Sequence, residues 1–328
     1  MSDRPRVFSG IQPTGELHLG TLMGALDNWV KMQDTYETFY CVVDLHAMSV
    51  PYDPAEFERS RLHTAKVVLA SGVDPKRSLF YMQSQVPQHA ELAWILGTLA
   101  GIGQLERMIQ YKEKSDKSGQ NLGLLSYPVL MAADILIHRV NAVPVGDDQT
   151  QHLELTRDLV VRFNGRFGEL FPLPERITPE LGARVMSLQN PMAKMSKTDP
   201  DPDSYIGLTE DPDTTRRKVM GAVTDSDRKV RYDWDEKPGI SNLLELMSFS
   251  SGRPIPELES EFGDAGYGPF KKAVAEAVVE RLAPIRGRFK QADDAEVARL
   301  MQKAALDART RAEATMRLVR KAVGLGAN

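Results

Sequence analysis

Strand-like and helix-like segments alternate along residues 4–165, and this alternation limits the possible folds more than any other feature of the sequence. We predict strands at residues 6–9, 38–44, 78–83 and 143–145, and helices at residues 19–33, 53–71, 127–139 and 149–163. Repeated strand–helix units predict a parallel, doubly wound sheet of the α/β class. Ligands of such sheets bind beyond the carboxyl ends of the strands, where residues 14–21 and 146–149 both fall.

Strand signals stop after residue 203, and helices are predicted at 214–223, 241–250, 256–262, 267–289 and 293–323. We therefore predict a nucleotide-binding catalytic domain at residues 1–200 and a helical domain at residues 201–292. Asp293 can cap the last helix, and Val297, Leu300 and Met301 give it an apolar face. That face makes the last helix a candidate to pack back on the first domain.

Composition excludes several classes of protein. A hydrophobic content of 42% and a charged content of 26% are those of an ordinary globular chain. The net charge of −4 argues against a broadly basic surface, although residues 216–231 hold a local basic cluster that suits either one RNA or solvent. The single cysteine, Cys41, excludes a disulfide within the chain. With no membrane-spanning or secretory segment in the sequence, we expect a cytoplasmic protein that binds neither membrane nor DNA.

The stretch Pro13-Thr14-Gly15-Glu16-Leu17-His18-Leu19-Gly20-Thr21 follows the first strand and opens the first helix. The first amides of a helix lack partners and carry partial positive charge, which suits a phosphate. Gly15 and Gly20 would let a ligand approach the backbone, and His18 adds a hydrogen-bonding ring. An ordinary strand–helix turn with an exposed histidine explains this stretch equally well.

A second stretch, Ala193-Lys194-Met195-Ser196-Lys197-Thr198, places two lysines around a serine. The following Asp199-Pro200-Asp201-Pro202 does not easily continue a helix, so the lysines are predicted on a loop. Two ammonium groups on a loop can close over a triphosphate and neutralise its charge. The alternative is a solvated basic loop.

Two further sets of polar residues are candidates for binding a ligand. Tyr127, Met131, Asp134 and His138 are spaced to share one helix face, and a carboxylate on that face is costly to bury unless it accepts a hydrogen bond. A neighbouring backbone amide is the alternative donor. After the fourth strand, Asp148 and Gln149 could hold an ammonium group or ribose hydroxyls, while helix capping by Asp147 or Asp148 is the other interpretation.

The two stretches resemble the paired signatures of class I aminoacyl-tRNA synthetases. The matching residues are His18-Leu19-Gly20-Thr21 and Lys194-Met195-Ser196-Lys197-Thr198, and both depart from the family pattern at their final threonine. Nearly the whole chain is similar to the bacterial tryptophanyl-tRNA synthetases, notably at residues 8–13, 43–47, 105–108, 127–136, 143–149 and 238–242. Asp147 stands where that family usually has glutamate.

The resemblance implies a Rossmann-like, HUP-type catalytic domain, a helical anticodon-binding domain and a homodimer. It also implies that ATP and L-tryptophan form tryptophanyl-adenylate and pyrophosphate, with Mg²⁺ carried by the ATP phosphates and no metal site of the protein's own. The aminoacyl group then passes to the 3′ end of tRNA(Trp). Attack of a carboxylate on phosphorus joins two anions, so positioning and positive charge must supply most of the catalysis.

Site residues follow from the resemblance by position. The tryptophan-binding set is Phe8, Gly10, Gln12, Cys41, Val43, His46, Tyr127, Met131, Asp134 and Gln149. Within it Asp134 would accept the indole N–H, and Tyr127 and Gln149 would hold the ammonium group. The ATP-binding set is Gln12, Pro13, Thr14, His18, Gly20, Thr21, Gly146, Asp147, Asp148, Val185, Lys194, Met195, Ser196 and Lys197. The residues with catalytic roles are His18, Lys114, Lys194 and Lys197.

Three other functions are compatible with parts of the sequence: a tyrosyl-tRNA synthetase, a small-molecule adenylyltransferase, and an RNA-binding module without catalysis. The adenylyltransferase would need neither the lysine loop nor the helical domain, and intact His18 and lysines weigh against the silent module. The apolar segment around Trp94 is predicted to form the dimer interface, with a buried core helix as the alternative.

Overall fold

The computed structural model describes residues 4–109, 111, 121–146, 149–177, 185–197 and 199–326, which build a five-stranded parallel sheet. The strands are β1 (Arg6–Ile11), β2 (Glu37–Val42), β3 (Ser78–Met82), β4 (Ala142–Pro144) and β5 (Glu175–Ile177). Their order across the sheet is β3-β2-β1-β4-β5. The chain thus winds outwards in both directions from β1, and the predicted doubly wound α/β fold is confirmed.

The first helix, α1, is one continuous segment in three parts: Leu19–Thr21 and Asp27–Met32 are α-helical, and Leu22–Leu26 between them is π-helical. A π-helical turn holds an extra residue and often occurs at functional sites. Here it brings Gly24 and Ala25 to the wall of the cavity described below. The sequence predicted the extent of α1 but not this change of form.

Between β2 and β4, the α-helices whose full extent the structure describes are α2 (Asp44–Ala47), α3 (Pro54–Ala70), α4 (Gln88–Gly97), α5 (Ile102–Glu106) and α6 (Leu122–Ile137). The predicted start of α6 at residue 127 is wrong. Asn121 caps the helix instead, because its side chain accepts the N–H of Leu124 at 2.8 Å. Pro128 therefore lies inside the helix, where its ring removes one intrahelical hydrogen bond without ending it.

The interpretation of residues 164–193 as connections is wrong at β5. This strand pairs in parallel with β4, with Glu175 opposite Ala142 and Ile177 opposite Pro144. Glu175 and Arg176 are exposed and charged, so the sequence carries no apolar run that would predict a strand. Before it, α7 (Thr150–Phe167) extends past its predicted end at residue 163.

The remaining helices are α8 (Pro212–Met220), α9 (Pro238–Ser251), α10 (Ile255–Phe262), α11 (Tyr267–Gln291) and α12 (Asp294–Val323). Helix α12 packs against β3 and joins both cores of the molecule. Val297 and Met301 belong to the core that contains Tyr40, while Ala308 and Met316 belong to the core on the opposite face of the sheet. No helix among the described residues has the length and apolar character needed to cross a bilayer. The domain boundary near residue 200 stays a prediction.

Candidate active site

A cavity of about 360 Å³ lies at the carboxyl end of β1, where the strand order reverses. Its volume falls within the roughly 300–1,000 Å³ of small-molecule sites. The members of the predicted tryptophan-binding set that line it are Phe8, Gly10, Gln12, Val43, His46, Tyr127, Met131, Asp134 and Gln149. Cys41, the remaining member, is fully buried within β2, and burial raises the pKa of its thiol. The fold therefore gathers residues of β1, α2 and α6, together with the residue after β2 and the residue before α7, around one space.

The Asp134 carboxylate is part of the cavity wall and is only 1% exposed. Its Oδ2 accepts a hydrogen bond from His46 Nε2 at 2.8 Å, and its Oδ1 accepts from Gln83 Nε2 at 2.6 Å and His89 Nδ1 at 2.7 Å. Burial raises the pKa of this carboxyl, but the bonds from His46 and His89 outweigh burial and hold the pKa at about 2. The donors are thus side chains rather than a backbone amide, and the cavity wall carries a negative charge at neutral pH.

His138 does not share this position. The sequence predicted it on the same helix face as Asp134, but α6 ends at Ile137 and His138 is its C-cap with non-helical backbone angles. The ring stacks on Phe39 at a centroid distance of 4.5 Å, and its Nε2 lies 2.7 Å from Tyr81 Oη. His138 therefore belongs to the layer behind the cavity.

Tyr127 on α6 and Gln149, the N-cap of α7, are joined through the buried His152. Tyr127 Oη is 2.9 Å from His152 Nε2, and His152 Nδ1 is 2.8 Å from Gln149 Oε1. A neutral imidazole donates from one nitrogen and accepts at the other. The ring consequently orients the tyrosine hydroxyl and the glutamine amide together on the cavity wall.

The turn between β1 and α1 depends on Gly15 and holds the ring of His18. Gly15 has a φ of +69°, which favours glycine, and a Cβ there would lie 3.1 Å from Lys197 Cδ. His18 is the N-cap of α1, and its Nδ1 is buried without a hydrogen-bond partner in the part of the chain that the structure describes. Burial first, and then the charges of Lys197 and Lys194, lower the pKa of His18 to about 4. The ring is therefore neutral at pH 7.

The lysine loop lies against this turn. Lys197 Nζ donates to Thr14 Oγ1 at 2.9 Å, across 183 positions of sequence, so the two signature stretches meet in the fold. Burial lowers the pKa of Lys197 to about 8, although the nearby Glu16 carboxylate raises it. Met195 is buried and its N–H donates to the Val185 carbonyl at 2.9 Å, which anchors the loop. Lys194 is exposed.

Val185 also reaches the turn, since a Cβ on Gly20 would lie 3.5 Å from Val185 Cβ and 3.1 Å from the His18 ring. Pro13 is buried, and its carbonyl accepts the Ser60 hydroxyl at 2.6 Å. The N–H of Thr21 donates to the His18 carbonyl at 2.8 Å, in the first turn of α1.

Some of the predicted site residues lie outside the described residues, namely Lys114, Asp147, Asp148 and Thr198.

Sequence reasoning missed several residues of this site. Gln83 ends the predicted third strand at the ligand edge of the sheet, which is a signal that could have identified it. His89 and His152 carry no comparable signal, because each is a single histidine in a helix. Lining residues that the sequence did not single out are Ser9, Gly24, Ala25, Asn28, Trp29 and Ile135.

The sequence is similar to those of known proteins. A family model described as class I tRNA synthetases (W and Y) matches residues 1–283. The tryptophan–tRNA ligase of Caldanaerobacter subterraneus subsp. tengcongensis is 48% identical over 321 residues, which cover 98% of this chain and 98% of that protein. Tryptophan–tRNA ligase 2 of Streptomyces avermitilis is 50% identical over 294 residues, which cover 88% of this chain and 87% of that protein.

The structure is also similar to crystal structures of other proteins. The crystal structure of tryptophanyl-tRNA synthetase from Campylobacter jejuni, complexed with ADP and tryptophan, matches with a TM-score of 0.85 and 32% identity. The match covers 98% of this chain and 100% of that one. Likeness in sequence and in fold thus extends over nearly the whole chain.

Proposed function

Since this chain belongs to the class I tRNA synthetases of the tryptophan and tyrosine family, we propose that it is a tryptophan–tRNA ligase. In the first step, a carboxylate oxygen of L-tryptophan attacks the α-phosphorus of ATP. The new P–O bond replaces the bond to the β-phosphate oxygen, and pyrophosphate leaves. In the second step, a hydroxyl of the terminal ribose of tRNA(Trp) attacks the carbonyl carbon of the adenylate, AMP leaves, and the hydroxyl proton passes to solvent.

The observation that carries this proposal is a charged carboxylate set in a largely apolar wall. Asp134 shares the cavity with the side chains of Phe8, Val43 and Met131. An indole is apolar apart from its N–H, which can only donate, and a carboxylate can only accept. The cavity therefore suits an indole ring that directs its N–H to Asp134.

The polar groups of tryptophan have partners in the same space. We assign the ammonium group to Tyr127 and Gln149, which line the cavity and are oriented by His152. Gly10 and Gln12, at the carboxyl end of β1, line the part of the cavity next to the ATP-binding turn. This arrangement directs the tryptophan carboxylate towards that turn.

We assign the ATP phosphates to the turn at residues 13–21 and to the lysine loop. The residues present fit a triphosphate: His18 Nδ1, which has no partner among the described residues, can donate to a phosphate oxygen when the ring carries its proton there, and Lys194 and Lys197 supply positive charge. Because the His18 ring is neutral, the positive charges of the two lysines do not repel it. Mg²⁺ carried by the ATP phosphates supplies further positive charge when bound. Roles for Lys114, Asp147 and Asp148 are part of the same proposal.

The proposal extends to partners and location. We infer that residues 201–292 bind the anticodon arm of the tRNA and that the enzyme is a cytoplasmic homodimer. Support for the dimer comes from Trp94, which is 79% exposed, whereas Ile95 and Leu96 of the same segment are buried in the core of the single chain, as the alternative of a core helix predicted for them.

Exchange of radiolabelled pyrophosphate into ATP tests this function, because exchange requires a reversible adenylate. We expect exchange with L-tryptophan, little with L-tyrosine or L-phenylalanine, and charging of tRNA(Trp) with tryptophan. Preferential exchange with tyrosine would contradict the proposal that tryptophan is the substrate, but it would leave the proposed adenylate chemistry intact. No exchange with any amino acid would contradict the adenylate chemistry itself.

A further inference from the structure

A chain of three buried side chains continues from Asp134 away from the cavity. His89, whose Nδ1 contacts Asp134, has its Nε2 2.9 Å from Tyr81 Oη, and Tyr81 Oη is also 2.7 Å from His138 Nε2. His89 and Tyr81 are 0% exposed and His138 is 2% exposed. These three side chains are not among the described residues that line the cavity, and Asp134 is the lining residue to which their hydrogen bonds lead.

His138, at the far end of this series of hydrogen bonds, determines where the protons of all three side chains lie. His138 Nδ1 is buried without a hydrogen-bond partner among the described residues, and a buried N–H without an acceptor is rarer than an unused acceptor. The guanidinium groups of Arg6 and Arg311 lie 5.9 and 5.5 Å from the centre of the Phe39 ring on which His138 stacks. Burial is the main cause that lowers the pKa of His138, and the charges of Arg311 and Arg6 act in the same direction, so the ring is neutral. Its single proton therefore lies on Nε2 and is donated to Tyr81.

The remaining protons follow in turn. Tyr81 Oη accepts from His138 and has one proton, which it donates to His89 Nε2, since the sulfur of the bordering Cys41 is a weaker acceptor. His89 must then carry its own proton on Nδ1 and donate it to Asp134 Oδ1. In each of these three hydrogen bonds, the donor therefore lies further from the Asp134 carboxylate than the acceptor does.

We propose that His138, Tyr81 and His89 form a positioning relay that holds Asp134 in one orientation as the acceptor for tryptophan. The inference rests on the proposed function, because it assigns to Asp134 the recognition of the indole N–H. Without the relay, His89 can move its proton to Nε2 and turn an unprotonated Nδ1 towards the carboxylate. That change repels the Asp134 charge and removes one of the three donors that orient it.

Tyr81→Phe tests the relay, since it removes one hydroxyl and preserves the volume of the core. In pyrophosphate exchange we expect the KM for tryptophan to rise about 5- to 30-fold, the change that one or two lost hydrogen bonds produce. We expect kcat and the KM for ATP to stay within about twofold, because neither depends on ground-state binding of the indole. Tyr40→Phe is the matched control for loss of a buried hydroxyl behind the cavity: Tyr40 of β2 is also 0% exposed, and its hydroxyl donates at 2.8 Å to the carbonyl of the cavity-lining Trp29 and not towards Asp134.

Equal tryptophan KM values in Tyr81→Phe and wild type would overturn the relay, and so would equal increases in Tyr81→Phe and Tyr40→Phe. The proposed function would survive either result, whereas a wild type that does not exchange with tryptophan would contradict the function itself. Histidine ¹⁵N NMR of the wild type gives a second test that needs no variant. We expect the Nδ1–H form for His89 and the Nε2–H form for His138, and the opposite forms would overturn the relay.

Discussion

At the scale of single residues, the proposed recognition of the indole N–H falls on Asp134, a carboxylate that the fold already holds. Its two oxygens accept three buried donors, so its charge is stabilised before any ligand binds. An indole N–H adds a further donor to an acceptor that is already fixed in place, and such preorganisation is what discriminates between similar substrates. The same geometry implies that removing the carboxylate affects stability and specificity together.

We therefore expect Asp134→Ala to lower kcat/KM for tryptophan about 5- to 150-fold, which corresponds to roughly 1–3 kcal/mol, and to lower the melting temperature. Asp134→Asn should lose less in both measurements. Its amide oxygen can keep the bonds from Gln83 and His89, and its NH₂ can donate to His46 once that ring moves its proton from Nε2. Pyrophosphate exchange and thermal unfolding measure the two effects. Wild-type kcat/KM in Asp134→Ala would make this residue purely structural.

Lys197 predicts a pH dependence that can be measured in the free enzyme. Burial lowers its pKa to about 8, so the ammonium is charged below pH 8 and loses its proton as the pH rises through that value. We expect kcat/KM for ATP to fall above about pH 8, because this parameter reports groups of the free enzyme. Lys197→Arg should move the fall to higher pH, since a guanidinium stays charged. Identical profiles for the two proteins would show that another group titrates.

How far the sequence predicts this site depends on whether the residues share an element. The spacing of Tyr127, Met131 and Asp134 places them on one face of α6, and all three line the cavity. The donors to Asp134 come from three other segments, and only the folded sheet brings His46, Gln83 and His89 together. Periodicity within one helix does not contain that information.

At the scale of elements, unbroken apolar runs predicted the strands that are buried on both faces. The predicted strands at residues 38–44 and 78–83 differ from β2 and β3 by only one or two residues at their ends. An edge strand such as β5 has only three residues and an exposed, charged pattern, so pairing with β4 rather than its own sequence makes it a strand. The π-helical turn in α1 likewise depends on packing rather than on a local pattern.

The lysine loop gives a prediction at this scale. Its anchor, Met195, is buried between Lys194 and Lys197, so each lysine can be removed without loss of the anchor. We expect Lys194→Ala and Lys197→Ala each to slow adenylate formation by an amount equivalent to about 2–4 kcal/mol, with smaller effects on tryptophan affinity. Rapid-quench measurement of a single turnover checks this. The exposed Lys303 on α12 provides a control, Lys303→Ala, and wild-type rates in both loop variants would contradict a role for the loop.

At the scale of the whole molecule, α12 connects the two cores. The first half of the helix packs with the core that also contains residues of α9 and α11, and its second half packs on the opposite face of the sheet. The sequence predicted one apolar face on this helix, but a face that serves two cores is set by where the helix crosses β3. The chain alone nevertheless leaves apolar surface exposed beyond both cores.

That surface leads to a prediction about assembly. Large exposed fractions occur at Trp94 (79%), Ile102 (66%), Leu122 (76%) and Val161 (63%), on helices α4, α5, α6 and α7. The hydrogen bond from Arg162 to the Leu99 carbonyl at 2.9 Å ties α7 to the segment between α4 and α5. Apolar side chains of this size on neighbouring elements are typical of a surface that another protein covers.

We expect the covering partner to be a second copy of this chain, and light scattering at micromolar concentration to give twice the chain mass. Trp94→Arg places a charge where the interface would exclude water, so it should shift the mass towards that of a single chain. Leu306→Arg is the control, because Leu306 is 60% exposed on α12, which is not one of the four helices that carry these apolar side chains. A single-chain mass for the wild type rejects the homodimer. If Trp94→Arg and Leu306→Arg weaken the dimer equally, the interface does not lie at Trp94.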